Sequence, residues 1–270
     1  MPEPSSDTRI GEPFIELLSV DSTNNYALTQ VRAGLAQHGT AFFAYEQLAG
    51  KGQRGKSWTT APGSSLILSV VVDPHPLAIG QQFQLSTCIA LAGLALLRKY
   101  AGGEVAVKWP NDLYWRDRKA GGILIENIIG GKTSQTRTAN EDSSYGEWQW
   151  AIAGIGINLN QKFFPEDLKN PVSLRQITSK NHDPAGLAQE LCQLIDLFFK
   201  QLVSKGFDGL YQEYLSNLYK RDQIIKLKKG TRVFDALIKS VLPNGRLVIE
   251  HGIEETLDLG EIEWILPTEK

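Results

Sequence analysis

The order of apolar and polar residues divides the chain into two parts that differ in the spacing of their apolar residues. Up to about residue 219, apolar strand-like runs alternate with longer segments in which apolar residues recur at helical spacing. From residue 221 onward, short alternating runs are separated by Lys-Lys-Gly, Pro-Asn-Gly and His-Gly turns. Five short strands in so small a segment have the size of an SH3-like barrel. The pattern therefore predicts two domains, residues 1–219 and residues 220–270.

Within these domains, the pattern places each element. Strands are predicted at residues 14–20, 40–47, 66–72, 104–109, 123–126 and 148–159, and later at 224–227, 233–241, 246–250, 255–259 and 262–266. Helices are predicted after residue 25, with Leu28, Val31 and Leu35 on one face, and at residues 81–100, 183–205 and 208–219. Residues 1–13 are expected to be a loose tail. Residues 130–147 are polar without a hydrophobic period, which predicts a long, mobile hairpin connection.

Composition limits the class of protein. The 270 residues are 42% apolar, enough for a sizeable core,. No apolar run approaches the length of a bilayer span and the N-terminus lacks a signal-peptide layout, so a cytoplasmic protein is expected. Cys88 and Cys192 are expected to be buried thiols, and the scattered histidines predict no structural metal site. The net charge of −2 provides no broad basic field for nucleic acid,.

A loop between two predicted strands contains closely spaced glycines and positively charged side chains. Between residues 50 and 56, three glycines alternate with the cations Lys51, Arg54 and Lys56, with no acid among them. Glycine allows close approach to the backbone and the cations favour an anion, so we interpret the segment as a phosphate-binding loop. It also fits the P-loop pattern, but a P-loop leads into a helix, and the following residues 58–65 are rich in turn formers. A plain surface loop is the third interpretation.

Four further segments each allow a structural and a functional interpretation. Residues 21–25 are N-capping residues that could also bind a small polar ligand. Asn111 and Asp112 follow a strand-breaking proline; they could form an Asx-turn, or Asp112 could orient a cation or activate an amine. Lys119 stands at the start of a strand, where a lysine is usually solvated, but the two glycines beside it leave space for another group to pack close to it. Gly154, Gly156 and Asn158 share one strand face, which suits either close packing or the floor under a flat ligand.

Five motifs in order make the chain resemble the biotin protein ligases. They are residues 21–24 (Asp-Ser-Thr-Asn), residues 47–58 around the glycine/cation loop, residues 108–114 (Lys-Trp-Pro-Asn-Asp-Leu-Tyr), residues 119–126 (Lys-Ala-Gly-Gly-Ile-Leu-Ile-Glu) and residues 154–158 (Gly-Ile-Gly-Ile-Asn). The resemblance implies an α+β fold: a mixed β-sheet flanked by helices, as in class II aminoacyl-tRNA synthetases, with a C-terminal SH3-like barrel. It also implies ATP-dependent formation of biotinyl-5′-AMP and transfer of biotin to a lysine of a biotin carboxyl carrier protein.

The same resemblance implies roles for particular residues. The catalytic residues would be Lys119, Asp112 and Arg54. Biotin would be bound by Ser22, Thr23, Asn24, Gln47, Gly50, Lys51, Gly52, Gln53, Lys119, Gly122, Gly154 and Gly156. The nucleotide would be bound by Arg54, Lys56, Trp58, Asn111, Lys119 and Asn158. Mg²⁺ would be carried on the ATP phosphates, and because family members often pair through their sheets, a homodimer is implied.

The chain departs from the family's pattern in two places. Many bacterial members carry arginine at the positions of Lys51, Gln53 and Lys56; lysine loses the bidentate fork, and glutamine also loses the charge. Members that double as repressors carry an N-terminal helix-turn-helix domain, which residues 1–13 are too few to form, so a monofunctional ligase is expected. The alternatives are a lipoate ligase, a P-loop NTPase and a non-catalytic biotin-binding or DNA-binding regulator.

Overall fold

Seven strands form one mixed sheet in the computed structural model, which describes residues 8–130 and 147–266. The strands are β1 (Phe14–Leu17), β2 (Ala41–Ala44), β3 (Ser65–Val72), β4 (Val105–Lys108), β5 (Asp112–Trp115), β6 (Arg118–Gly130) and β7 (Glu147–Asn158). Their order is β1-β2-β3-β7-β6-β5-β4. Only β1 and β2 pair in parallel; the other neighbours are antiparallel. The predicted mixed sheet is confirmed.

Helices cover both faces of this sheet. They are α1 (Thr23–Arg32), α2 (Gln82–Ala101), α3 (Leu174–Thr178), α4 (Pro184–Lys205) and α5 (Asp208–Ser216). The main core lies between the sheet and α2 with α4, whereas α1 covers a smaller cluster on the other face. The helix α4 begins as predicted, because the Asp183 carboxylate accepts hydrogen bonds from the N–H groups of Ala185 and Gly186,. The sequence interpretation omitted α3, although Ser173 and Gln176 form a capping box there,.

The C-terminal residues form a second, antiparallel sheet. Its strands are β8 (Ile224–Lys229), β9 (Arg232–Val241), β10 (Leu247–Glu250), β11 (Glu254–Leu257) and β12 (Glu263–Ile265). The order is β11-β10-β9-β8-β12, so all five predicted strands are present but the described part of the sheet is not closed into a barrel. The Trp109 indole donates to the Gly245 carbonyl (2.8 Å), which ties a turn of this sheet to the end of β4.

Two local expectations were wrong. Residues 8–13 are not a loose tail, because Ile10 is buried and its N–H donates to the Asp196 carboxylate at 3.1 Å. The helix α1 ends at Arg32, and Leu35 is exposed beyond it; the buried face of α1 instead carries Thr23, Asn24 and Ala27. Of the connection predicted at residues 130–147, Gly130 and Glu147 instead end β6 and begin β7, which pair antiparallel, and residues 131–146 lie outside the described residues.

The apolar segment Ile79–Ala101 is an exception to the expectation that no segment is long enough to span a bilayer. By length and composition alone this helix could cross a bilayer. Most of it is buried, and Leu85, Ile89 and Leu97 are fully enclosed in the main core. It is thus built as the core helix of a globular domain. The thiols of Cys88 in α2 and Cys192 in α4 are free and buried, and burial raises the pKa of each to about 12.

Candidate active site

A cavity lies on the α1 face of the large sheet. Its floor is formed by β6 and β7, and its walls by the start of α1 and the loop after β2. The residues singled out from the sequence that line it are Ser22, Thr23, Asn24, Gln47, Lys51, Gly52, Gln53, Trp58, Asn111, Lys119, Gly122, Gly154 and Gly156. The site candidates that do not line it are Gly50, Arg54, Lys56, Asp112 and Asn158. Residues from five separate motifs therefore meet at one place.

One end of the cavity is a corner of connected polar side chains. The Gln47 carbonyl oxygen accepts from the N–H (2.8 Å) and the hydroxyl (3.1 Å) of Thr23. The Ser69 hydroxyl lies 2.7 Å from the Thr23 hydroxyl and 2.6 Å from the Asn24 carbonyl oxygen. Ser22 stands at the N-cap of α1 without a side-chain capping bond, which corrects the expectation that residues 21–22 cap the helix. These groups are suited to a small neutral polar ligand.

The glycine face is covered by side chains of the protein itself. A Cβ on Gly156 would lie 2.7 Å from the Trp58 indole, and one on Gly154 would collide with Asn24. The Trp58 indole thus packs against the strand at the place where one interpretation of the sequence put a flat ligand. Its buried indole N–H has no partner in the described part of the chain. The remaining cavity is about 60 Å³, below the several hundred typical of small-molecule sites,.

At the other end, two charged residues form a short ion pair. The Lys119 Nζ lies 2.6 Å from Asp112 Oδ1. Both are partly buried, and a Cβ on Gly122 would meet the Lys119 amine at 3.4 Å. The neighbouring Gly121 faces the Gly156 carbonyl so closely that a Cβ would come within 2.8 Å. Gly121 therefore allows the two strands to approach each other closely, whereas a Cβ on Gly122 would make only ordinary van der Waals contact with the Lys119 amine,.

The loop cations point in different directions. Lys51 lies 3.7 Å from the Glu126 carboxylate. Arg54 has a left-handed backbone (φ 57°) and donates to the Gly260 carbonyl at 2.9 Å, in a turn of the C-terminal sheet. Lys56 is exposed. Residues 58–64 are not helical and lead directly into β3, which excludes the P-loop interpretation,.

The two candidate asparagines are held by the backbone. Asn111 forms reciprocal hydrogen bonds with Ile123, through its side-chain amide and its carbonyl oxygen, rather than an Asx-turn. Asn158 is buried behind the cavity, where its amide donates to the Val172 carbonyl (3.2 Å) and the Lys119 carbonyl (3.4 Å). Its described hydrogen bonds stabilise the start of β6, where Lys119 lies. Nucleotide binding by Asn158 stays a prediction.

Sequence interpretation overlooked two members of the site. Ser69 is the one polar residue in the otherwise apolar run 66–72. A single polar residue in such a run was the sequence feature that could have identified it. Glu126 accepts a hydrogen bond from the Asn24 amide at 2.7 Å and also faces Lys51. Its strand was identified, but nothing in the local sequence indicated that its partner lies on α1.

Comparison with known proteins first defines the class of fold. Biotin protein ligase from Aquifex aeolicus, solved in complex with biotin and ATP, superposes with a TM-score of 0.74 at 24% identity. The match covers 94% of this chain and 98% of that chain. The mixed sheet, its flanking helices and the appended C-terminal sheet are thus those of the biotin ligase fold.

The sequence comparisons then define the family. The Biotin/lipoate A/B protein ligase family matches residues 17–139. The Bifunctional ligase/repressor BirA of Escherichia coli (strain K12) is 33% identical over 256 residues, covering 90% of this chain and 71% of that protein. A Biotin--[acetyl-CoA-carboxylase] ligase of Paracoccus denitrificans is 29% identical over 240 residues, with 86% and 92% covered. The chain belongs to the biotin protein ligase family and is a biotin ligase enzyme.

Proposed function

We propose that the chain activates biotin with ATP as biotinyl-5′-AMP and transfers the biotinyl group to a lysine of a biotin carboxyl carrier protein. The observation that carries this proposal is the Lys119–Asp112 pair at the edge of a cavity whose other end is neutral and polar. A cation beside a carboxylate suits two successive tasks: stabilising negative charge and receiving a proton.

In the first step, the biotin carboxylate oxygen attacks the α-phosphorus of ATP. A new oxygen–phosphorus bond forms, the bond to the β-phosphate breaks, and pyrophosphate leaves. Two anions meet in this step, so a fixed cation is needed between them. Lys119 supplies this cation. Among the described residues, it is the lysine that both lines the cavity and binds Asp112.

In the second step, the amine of the carrier lysine attacks the biotinyl carbonyl carbon. The amide bond forms, the bond to the phosphate oxygen breaks, and AMP leaves. The attacking amine must be neutral and must lose a proton, which Asp112 accepts or directs. Asp112 lies next to Asn111, which lines the cavity.

The polar corner is the proposed place for the ureido head of biotin. Thr23, Gln47 and Ser22 offer hydroxyl and amide groups there, and Gly154 and Gly156 lie under the rings. Since the indole of Trp58 now covers Gly156, biotin binding requires that this side chain move. We propose that Trp58 then packs against the adenine, so that the loop closes over the adenylate and excludes water.

The phosphates are assigned to the loop cations. Lys56 and Arg54 are the exposed candidates, with Asn111 and Asn158 on the nucleotide side. Within the described ranges, no group of three His, Cys, Asp or Glu side chains could hold a metal ion. We therefore propose that Mg²⁺ arrives bound to the ATP phosphates. Pairing of two copies is proposed from the family alone, whereas a cytoplasmic location and the division into residues 1–219 and 220–270 are proposed from the sequence pattern.

The test is exchange of labelled pyrophosphate into ATP, with biotin and, in parallel, lipoate as the acid. Exchange that depends on biotin and not on lipoate is the expected result. A folded protein with Mg²⁺ that gives exchange with neither acid would overturn the proposal.

The loop residue Gln53 provides a prediction about retention of the intermediate. It lines the cavity in the turn Gln53–Gly55 of the glycine/cation loop. Arginine there would add a charged donor beside the phosphate, so Gln53→Arg should release biotinyl-5′-AMP about tenfold more slowly. Release is measured by dilution into excess unlabelled ligand, with the exposed Gln37→Arg as the control. Equal release rates in Gln53→Arg and wild type would contradict the idea.

A further inference from the structure

Lys108, the last residue of β4, is a buried lysine that the reaction described above does not use. Its side chain is only 10% exposed and does not line the cavity. In the described part of the chain, its one salt-bridge partner is Asp112, whose Oδ2 lies 3.9 Å from the Lys108 amine. Burial lowers the pKa of Lys108 to about 8, although Asp112 opposes the shift. A buried ammonium is unfavourable to folding, so its presence calls for a reason outside stability.

Two aromatic rings lie close to the Lys108 amine. The Tyr114 ring centroid is 5.2 Å away, and the Trp264 centroid is 4.9 Å away. Both distances fall within the range of cation–π attraction. Trp264 belongs to β12, so this ring reaches the catalytic sheet from the C-terminal sheet. It also packs near Tyr219, at 5.9 Å between centroids.

Asp112 therefore lies between two lysines whose side chains differ in exposure. Lys119 is one-third exposed, lines the cavity and binds Oδ1 at 2.6 Å. An anionic substrate in the cavity competes with Asp112 for the Lys119 amine. Lys108 does not line the cavity, is almost fully buried and lies near two aromatic rings, so a substrate in the cavity does not compete with Asp112 for its amine.

We propose that Lys108 is a positioning residue that holds the Asp112 carboxylate for the transfer step, and that Trp264 of the C-terminal sheet holds Lys108 in place. The second sheet thereby contributes to the active site through one ring. This inference rests on the proposed function, in which Asp112 receives the carrier lysine. The inference predicts a larger effect on transfer of biotin than on adenylate formation, because of the two lysines beside Asp112 only Lys119 lines the cavity.

The experiment separates the two half-reactions in Trp264→Leu and Trp264→Phe. Transfer is followed in a single turnover from prepared biotinyl-5′-AMP to the biotin-accepting domain of an acetyl-CoA carboxylase carrier protein; adenylation is followed by pyrophosphate exchange. Trp264→Leu should slow transfer about tenfold, because the ring face is lost. Trp264→Phe keeps a ring face and should restore most of the rate. Exchange should change by less than about twofold in both variants.

A second aromatic residue of the same sheet is the matched control. Phe234 in β9 packs against His251 (5.0 Å between centroids), and none of its described contacts involves Lys108. Phe234→Leu should leave transfer within about twofold of wild type. Wild-type transfer in a folded Trp264→Leu protein would overturn the inference, as would an equal loss in Phe234→Leu. Failure of the proposed function itself is distinguishable, because wild-type protein would then show no biotin-dependent exchange.

Discussion

Lys119→Ala is expected to lower biotin-dependent pyrophosphate exchange by about 100-fold or more while the protein stays folded. The amine of Lys119 is the cation that faces both the cavity and Asp112. Removing one preorganised group that stabilises transition-state charge commonly costs a factor of about 100 to 1,000. The expected loss lies in kcat for exchange, because the polar corner that binds the ureido head is at the opposite end of the cavity.

The control for this variant is a lysine outside the site. Lys226 in β8 pairs with Asp235 on the surface of the C-terminal sheet, and Lys226→Ala should exchange pyrophosphate as wild type does,. Circular dichroism and thermal unfolding establish that both variants are folded. Wild-type-like exchange in Lys119→Ala would remove Lys119 from the reaction.

Lys108→Met is expected to stabilise the protein and slow biotin transfer at the same time. The difference between the ordinary lysine pKa of 10.5 and about 8 corresponds to about 3 kcal/mol against folding below pH 8,. The ring contacts offset part of this cost. We expect the free energy of unfolding at pH 7 to rise by about 1–2 kcal/mol, whereas transfer falls more than about tenfold.

The pH dependence gives this prediction a definite sign. Below pH 8, Lys108 is charged in the folded and the unfolded chain, and the whole cost is present. Between about pH 8 and 10.5 the folded chain has released that proton while the unfolded chain still holds it, so wild type becomes more stable relative to the variant,. The advantage of Lys108→Met should therefore shrink as the pH rises.

Urea unfolding at pH 7 and pH 10 measures this difference. Asp112, Lys119 and Lys56 also face Lys108 electrostatically and are unchanged in both proteins. The exposed Lys226→Met serves as the control and should shift stability by no more than about 0.5 kcal/mol at either pH,. A Lys108→Met protein less stable than wild type at pH 7 would show that the buried ammonium contributes to folding.

Much of the fold was predictable because its elements carry strong local signals. The apolar run of β3, the long apolar period of α2 and the Asp-Pro start of α4 each determine their element with little help from distant contacts,. The turn sequences of the C-terminal segment likewise separate its five strands. Tertiary contacts ordered residues 8–13, where the bond from Ile10 to Asp196 joins residues far apart in the chain.

The site was predictable as a set of motifs and only in part as an arrangement. Glycine spacing on β7 indicates that some group packs closely against the strand, but spacing alone does not distinguish a ligand from the Trp58 and Asn24 side chains that lie there. The partners of Ser69 and Glu126 lie on α1, and local sequence carries no information about such a contact.

The sequence by itself determined most of the strands and helices, though not β5 or α3, together with the glycine/cation loop and the family, because these depend on residue types at fixed spacing. The tertiary structure alone decided which charges meet. Lys119 and Lys108 approach Asp112 because β4, β5 and β6 are neighbours, and Trp264 reaches Lys108 because the second sheet packs against the first. Charge interactions depend on distance and burial, and both are properties of the folded chain.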